Sequence, residues 1–177
     1  FYESELEKII IAKSKQLFPG YWLIPFKKTV ESEFSSAKPD FILIHKNYDN
    51  WWVVEVEKSS HSFENHILPQ IKTLSKAAYG INEVDYVKVQ QNEINEEKLL
   101  NLFLFQPTQV LVVVNEDKPE WKLPLKALQT EMLVFEIFLS DKNEMIFRID
   151  GFLPKLKIRF LTSCYFTKYL PHCLYIQ

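Results

Sequence analysis

The chain has 177 residues, 47% hydrophobic and 15% aromatic with three glycines, which supplies one packed core and argues against disorder. A formal net charge of −2 and a sequence pI of about 6.1 exclude a bulk basic field, so a nucleic-acid partner has to be held by a local patch or by metal ions. No apolar run approaches the ~20 residues needed to cross a bilayer. Cys164 and Cys173 are too few for a disulfide framework, and a cytoplasmic, reducing location is expected. Because it begins at Phe1 and ends inside an apolar stretch, the chain is expected to be part of a longer one.

In chain order, residues 2–17 read as an amphipathic helix, with Leu6, Ile9, Ile10 and Leu17 at helical spacing and Lys13 the polar exception. Ser4 is expected to cap it, with Glu7 completing a capping box. Glu3, Glu5 and Glu7 in its first turns suit the helix dipole. Pro19-Gly20 ends it. Residues 21–26 read as a strand, with Pro25 at an edge. Residues 29–37 are polar and read as a loop. Two apolar runs, Phe41 to Ile44 and Trp51 to Val56, flank the turn formers His45 to Asn50 and predict a hairpin. Residues 59–79 read as one helix with Phe63, Ile67, Ile71, Leu74 and Ala78 on a face and Pro69 either interrupting it or starting its regular part.

The charged segment 82–98 reads as a surface loop plus a short helix. Gln109 to Val114 lacks alternation, as suits a central strand covered on both faces. A short helix over 123–128 and a second hairpin, 132–140 and 144–150, follow. The expected fold is mixed α/β (α+β), a central mixed sheet flanked by helices. One domain is expected over residues 1–151. Residues 152–177 read as a β-rich extension, the possible start of a further domain, with a strand over 156–161.

The first hairpin carries the functional signal. Asp40 opens its first strand; Glu55 and Glu57 lie near the end of its second. Unpaired carboxylates are costly to bury among Val, Ile, Phe and Trp, so a divalent cation is the expected compensation. Period-two alternation puts Glu55 and Glu57 on one sheet face and sends Lys58 to the other unless the strand ends or bulges there. Asp40, Glu55 and the Val56 carbonyl can converge on one Mg²⁺, with Mn²⁺ as a substitute. The plain alternative is that Asp40 caps a turn and both glutamates line a solvated face.

Pro39-Asp40, fourteen residues, then Glu55-Val56-Glu57-Lys58 resembles the signature of the PD-(D/E)xK, restriction-endonuclease-like nuclease superfamily. The flanking helix, strand, hairpin and helix are similar too, over roughly residues 3 to 115. Gln70 and Tyr79 are similar to that superfamily's Q-x(n)-Y helix. The resemblance implies a Mg²⁺-dependent endonuclease hydrolysing DNA, in defence against foreign DNA or in repair. It implies metal ligands at Asp40, Glu55 and the Val56 carbonyl, with Glu5 as the helical acid that many members add and Glu3 nearly as plausible. The sequence departs where members usually carry lysine, at Glu57. Glu57 is then a ligand or general base, or Lys58 takes the ammonium role, and Gln70 assists from its helix. A catalytically inactive module binding nucleic acid or a partner protein is the rival reading, and RNA the rival substrate. A homodimer would suit cutting both strands of a duplex.

His61 and His66, five apart, are far apart around an α-helix, which argues against a shared metal. His61 can instead contact a phosphate, or lie at the surface. Lys155, Lys157 and Arg159 alternate along one strand, with Lys168 further on, and can track a phosphate backbone or be merely solvated. Lys27 and Lys28 carry the same ambiguity. Cys164, His172 and Cys173 lack the spacing of a zinc site.

Overall fold

The computed structural model describes residues 2–33, 35–141, 145–154 and 174–176. The basic ladder of Lys155, Lys157 and Arg159, Lys168 and the Cys164, His172 and Cys173 trio all lie outside them.

Helix α1 (Glu3–Leu17) buries Leu6, Ile10 and Leu17, the stripe its spacing predicts. It starts two residues earlier than a Ser4 cap would place it: the cap is Tyr2, whose N–H donates to the Glu5 carboxylate at 2.7 Å. Gly20, at φ 85°, turns the chain into edge strand β1 (Tyr21–Pro25). Residues 30–37 are not a plain loop. β2 (Val30–Glu31) and β3 (Ser36–Ala37) form a two-stranded ribbon, because Val30 is buried and the Glu31 carbonyl accepts from Ala78 N–H at 3.2 Å.

The predicted hairpin forms from β4 (Phe41–His45) and β5 (Trp51–Glu57), both buried throughout, with Phe41 opposite Val54 and Ile44 opposite Trp51. β4 also pairs antiparallel with β1. On its other edge β5 runs parallel to β6 (Gln109–Val114), which runs parallel to β7 (Thr130–Leu139). β8 (Met145–Gly151) and β9 (Leu174–Ile176) continue antiparallel, giving a seven-stranded sheet in the order β1-β4-β5-β6-β7-β8-β9. β6 is central and covered on both faces, as its unbroken apolar run predicts.

The helices depart from the sequence reading in two places. Residues 59–79 are not one helix: a π-helical turn (Phe63–Ile67) leads into α2 (Leu68–Lys76). Pro69 has no N–H to donate one helical turn back and its ring crowds that turn, so the regular helix starts beside it. Residues 82–98 are mostly helical rather than loop. α3 (Ile81–Gln90) buries Val84 and Val87, and α4 (Glu96–Phe105) buries Leu99, Leu102 and Phe103, stripes too narrow to stand out among the charges. Asn95 caps α4 by accepting from Lys98 N–H at 2.9 Å.

Sheet alternation splits the core in two. Trp51, Val53, Val110, Val112 and Val134 pack against α2, α3, α4 and α5 (Pro119–Ala127), while Trp52, Val54, Val56, Leu111 and Val113 pack against α1. The molecule is therefore a mixed sheet flanked by helices on both faces. Among the described residues no helix is long and apolar enough to cross a membrane.

Gly151 ends β8 at φ 94°, and a Cβ there would meet the Met132 carbonyl oxygen at 2.5 Å. Gly151→Ala should destabilise the fold by about 1–3 kcal/mol, read as a lower urea midpoint with an unchanged m-value.

Candidate functional site

The antiparallel register brings the start of β4 beside the end of β5, and the parallel sheet opens at that end, where open α/β sheets bind ligands. Asp40, Glu55 and Glu57 are 7%, 4% and 1% exposed, so all three expected acids are buried together rather than solvated.

Asp40 is tied to β5. Its Oδ2 accepts from Val56 N–H at 2.8 Å, and its Oδ1 accepts from the Lys27 ammonium. A strand residue's N–H and C=O point the same way, so the Val56 carbonyl is also directed to this edge. Lys27 reaches the site because pairing between β1 and β4 continues one residue further, with Phe26 N–H donating to the Asp40 carbonyl at 2.8 Å. The same ammonium binds Glu7 of α1 at 2.8 Å. Lys28 is held elsewhere, by Glu83 at the start of α3.

Glu55 receives one hydrogen bond, from Gln70 Nε2 to Oε1 at 2.9 Å; its Oε2 is buried with no partner among the described residues. Gln70 thus sits where its helix position predicts, holding one carboxylate oxygen and leaving the other available. Tyr79 is a packing residue, its ring against Trp51 and its hydroxyl donating to the Leu74 carbonyl at 3.2 Å.

Glu57 meets two imidazoles. His61 Nδ1 lies 2.6 Å from its Oε2 and His66 Nε2 lies 3.6 Å from its Oε1. One ligand atom from each of the three residues falls within 4.8 Å of the others, a candidate metal-binding triad. The expectation that His61 and His66 are held apart is therefore wrong. It assumed an α-helix, whereas His61 precedes the π turn, and Ser62 O accepts from both His66 N–H at 3.0 Å and Ile67 N–H at 3.3 Å. His61 sits in a bend closed by its N–H to the Lys58 carbonyl, so 100° per residue does not relate the two rings, whose centroids lie 4.8 Å apart.

Two other expectations need correction. Glu5 is not at the site: it is exposed and occupied at its own helix cap, about 200° round the helix from Glu3, whereas Glu3 and Glu7 share the inward face. Glu3 Oε2 lies 3.7 Å from His61 Nδ1. Lys58, half-buried just past β5, contacts this region through its backbone, its carbonyl accepting from His61 N–H at 2.9 Å.

Five carboxylates thus share this end of the sheet: Glu7 and Asp40 on the Lys27 ammonium, Glu3 and Glu57 beside His61, and Glu55 on Gln70. Burial pushes the Glu55 carboxyl well above its ordinary 4.5, and repulsion from Asp40 and Glu57 adds to it. Burial also raises Glu57 against the pull of both histidines, and raises Glu3, with Asp40 adding to it. Burial works against the Lys27 ammonium, but its hydrogen bonds to Asp40 and Glu7 outweigh that and raise it. Glu7 and His66 were the residues that sequence reasoning did not place here, and Lys27, near the site in sequence, was left between phosphate contact and solvation. The one available signal was hairpin register, which sets the residues after β1 beside Asp40.

A carboxyl raised on folding binds its proton more tightly in the native state, so its stabilisation is present below the ordinary value and lost as pH rises through the folded one. Glu3, Glu55 and Glu57 all have this sign. In EDTA the protein should lose stability as pH rises above the ordinary carboxylate value of 4.5 in urea titrations, and Glu55→Gln should flatten that slope. Comparison with protein-family models, with curated proteins and with solved structures returns no match, so the site stands on its own geometry.

Proposed function

We propose that the chain is a metal-dependent nuclease hydrolysing phosphodiester bonds of DNA, with Asp40, Glu55 and the Val56 carbonyl as the ligands of Mg²⁺. The observation that carries this reading is Glu55: buried, fixed by Gln70 through one oxygen, and without a partner for the other. An orphaned carboxylate oxygen beside a second carboxylate fits a hard cation. The motif resemblance supplies the substrate class.

Mg²⁺ held there supplies Lewis-acid activation of water and of the phosphoryl oxygen. The residues supply the rest. Gln70 keeps the Glu55 carboxylate in one orientation. Asp40 is fixed by the Val56 amide. Lys27 is the ammonium placed to offset charge developing on the phosphate, the role that a lysine at position 57 would otherwise fill. Water attacks phosphorus as the bond to the leaving oxygen breaks; the proton that the water loses passes to solvent, and the leaving oxygen takes one up from solvent. A second copy of the chain would suit cutting both strands of a duplex, and the two cysteines suit a reducing cytoplasm.

Plasmid nicking with Mg²⁺ tests it. Asp40→Asn and Glu55→Gln should each lower the rate by about 1000-fold, roughly 4 kcal/mol of transition-state stabilisation. Gln70→Leu should cost about 10–100-fold by freeing the carboxylate it orients. Activity that survives both acid substitutions would remove the assigned site. One observation favours a second reading, a module that binds without cutting: Lys27 already bridges Asp40 and Glu7. DNA binding by wild type with no cleavage in Mg²⁺ or Mn²⁺ would select that reading.

A further inference from the structure

Glu57, His61 and His66 take no part in the chemistry just described, and their donor set differs in kind from that of Asp40 and Glu55. We propose that these three side chains form a separate transition-metal site, taking a dication of the Zn²⁺ class and leaving a coordination position open. The site does not depend on the nuclease reading.

The donors decide the metal class. Two imidazole nitrogens and one carboxylate oxygen are a ligand set that Zn²⁺ accepts in sites with an open fourth position, whereas Mg²⁺ takes oxygen ligands and keeps its waters. Distances agree. Bonds of about 2.0–2.1 Å in a tetrahedral site put ligand atoms about 3.3 Å apart. Here His61 Nδ1 lies 2.6 Å from Glu57 Oε2 and His66 Nε2 lies 3.6 Å from Glu57 Oε1, and one ligand atom from each residue lies within 4.8 Å of the others, so closing to about 3.3 Å takes relative side-chain shifts of at most about 1.5 Å.

The supporting frame is rigid where it has to be. Glu57 is the last residue of the buried strand β5 and is 1% exposed. The two histidines rim the site from a turn held by three backbone bonds, Lys58 O to His61 N–H at 2.9 Å and Ser62 O to His66 and Ile67 N–H at 3.0 and 3.3 Å. Their side chains are 29% and 50% exposed, which provides an entry path and room for a water or substrate oxygen. Glu3, at 3.7 Å from His61 Nδ1, stands on that approach.

The site also accounts for glutamate at position 57. A lysine there would set an ammonium against two imidazoles and repel the ion, whereas a carboxylate completes the ligand set. Glu55 and Glu57 face the same way with Cα atoms about 7 Å apart along the strand, so the two centres adjoin without sharing either glutamate.

Calorimetric titration of the purified chain with Zn²⁺ in millimolar Mg²⁺ tests the proposal, with Co²⁺ visible absorption reporting the donor geometry. Wild type should bind one Zn²⁺, and Co²⁺ should give the intense bands of a tetrahedral site with imidazole donors. His61→Ala and His66→Ala should each weaken Zn²⁺ binding at least about 100-fold, while Asp40→Asn keeps it within about fivefold. Thermal unfolding in EDTA verifies that each variant folds, and His66, half-exposed, provides the variant least coupled to folding. No Zn²⁺ binding by wild type, binding unchanged in the doubly substituted His61→Ala, His66→Ala protein, or binding lost only with Asp40→Asn would each overturn it. Because Asp40→Asn reports the nuclease site and the histidine variants report this one, either assignment can fail while the other stands.

Discussion

Burying carboxylates at the end of a strand that is otherwise Trp and Val is the constraint on which the rest of this structure depends. An ionised carboxylate with no partner is too costly to hold in such a place, so each acid has recruited one. Asp40 takes the Val56 amide and Lys27, Glu55 takes Gln70, and Glu57 takes the two histidines. Those partners come from β5 itself, from the residues just past β1, from α2 and from the bend and π turn that follow β5. The acids therefore dictate what surrounds the open end of the sheet.

Those partners do not neutralise the cluster. The Lys27 ammonium is shared by Asp40 and Glu7, the Glu55 carboxyl is pushed upwards by burial and by its neighbours, and one of its oxygens has no partner among the described residues. A site built this way is strained towards cations, by protonation when metal is absent and by coordination when it is present. The two halves differ in hardness. The Asp40–Glu55 side offers oxygen only, and the Glu57 side offers nitrogen. Glu55 and Glu57 project from one strand face, so the two proposed centres would lie side by side.

Much of this was legible because hydrophobic pattern reports it directly. The run from Gln109 to Val114 could only be a strand covered on both faces, and the paired runs around His45 to Asn50 could only turn back on each other. That hairpin already brings Asp40 to Glu55, and the resemblance pointed to Gln70 on the following helix. Other parts were hidden for physical reasons. Val84, Val87, Leu99, Leu102 and Phe103 make stripes only two or three residues wide, so charge masked α3 and α4. His66 was discarded because 100° per residue was applied across the bend that leads into the π turn. Glu5 was preferred over Glu3 and Glu7 because all three suit a helix start equally and only docking of α1 picks a face.

The sequence by itself determined that a buried hairpin carries three acids and that those acids need positive charge, since burial follows from pattern and the cost of burial from chemistry. Only the tertiary structure decided which positive charges answer them. Lys27 arrives through the β1–β4 register and is held there by Glu7 once α1 packs, and His61 meets His66 where the bend after β5 leads into the π turn. Each is a contact between segments distant in sequence or wound off the regular period, and no local pattern encodes such contacts.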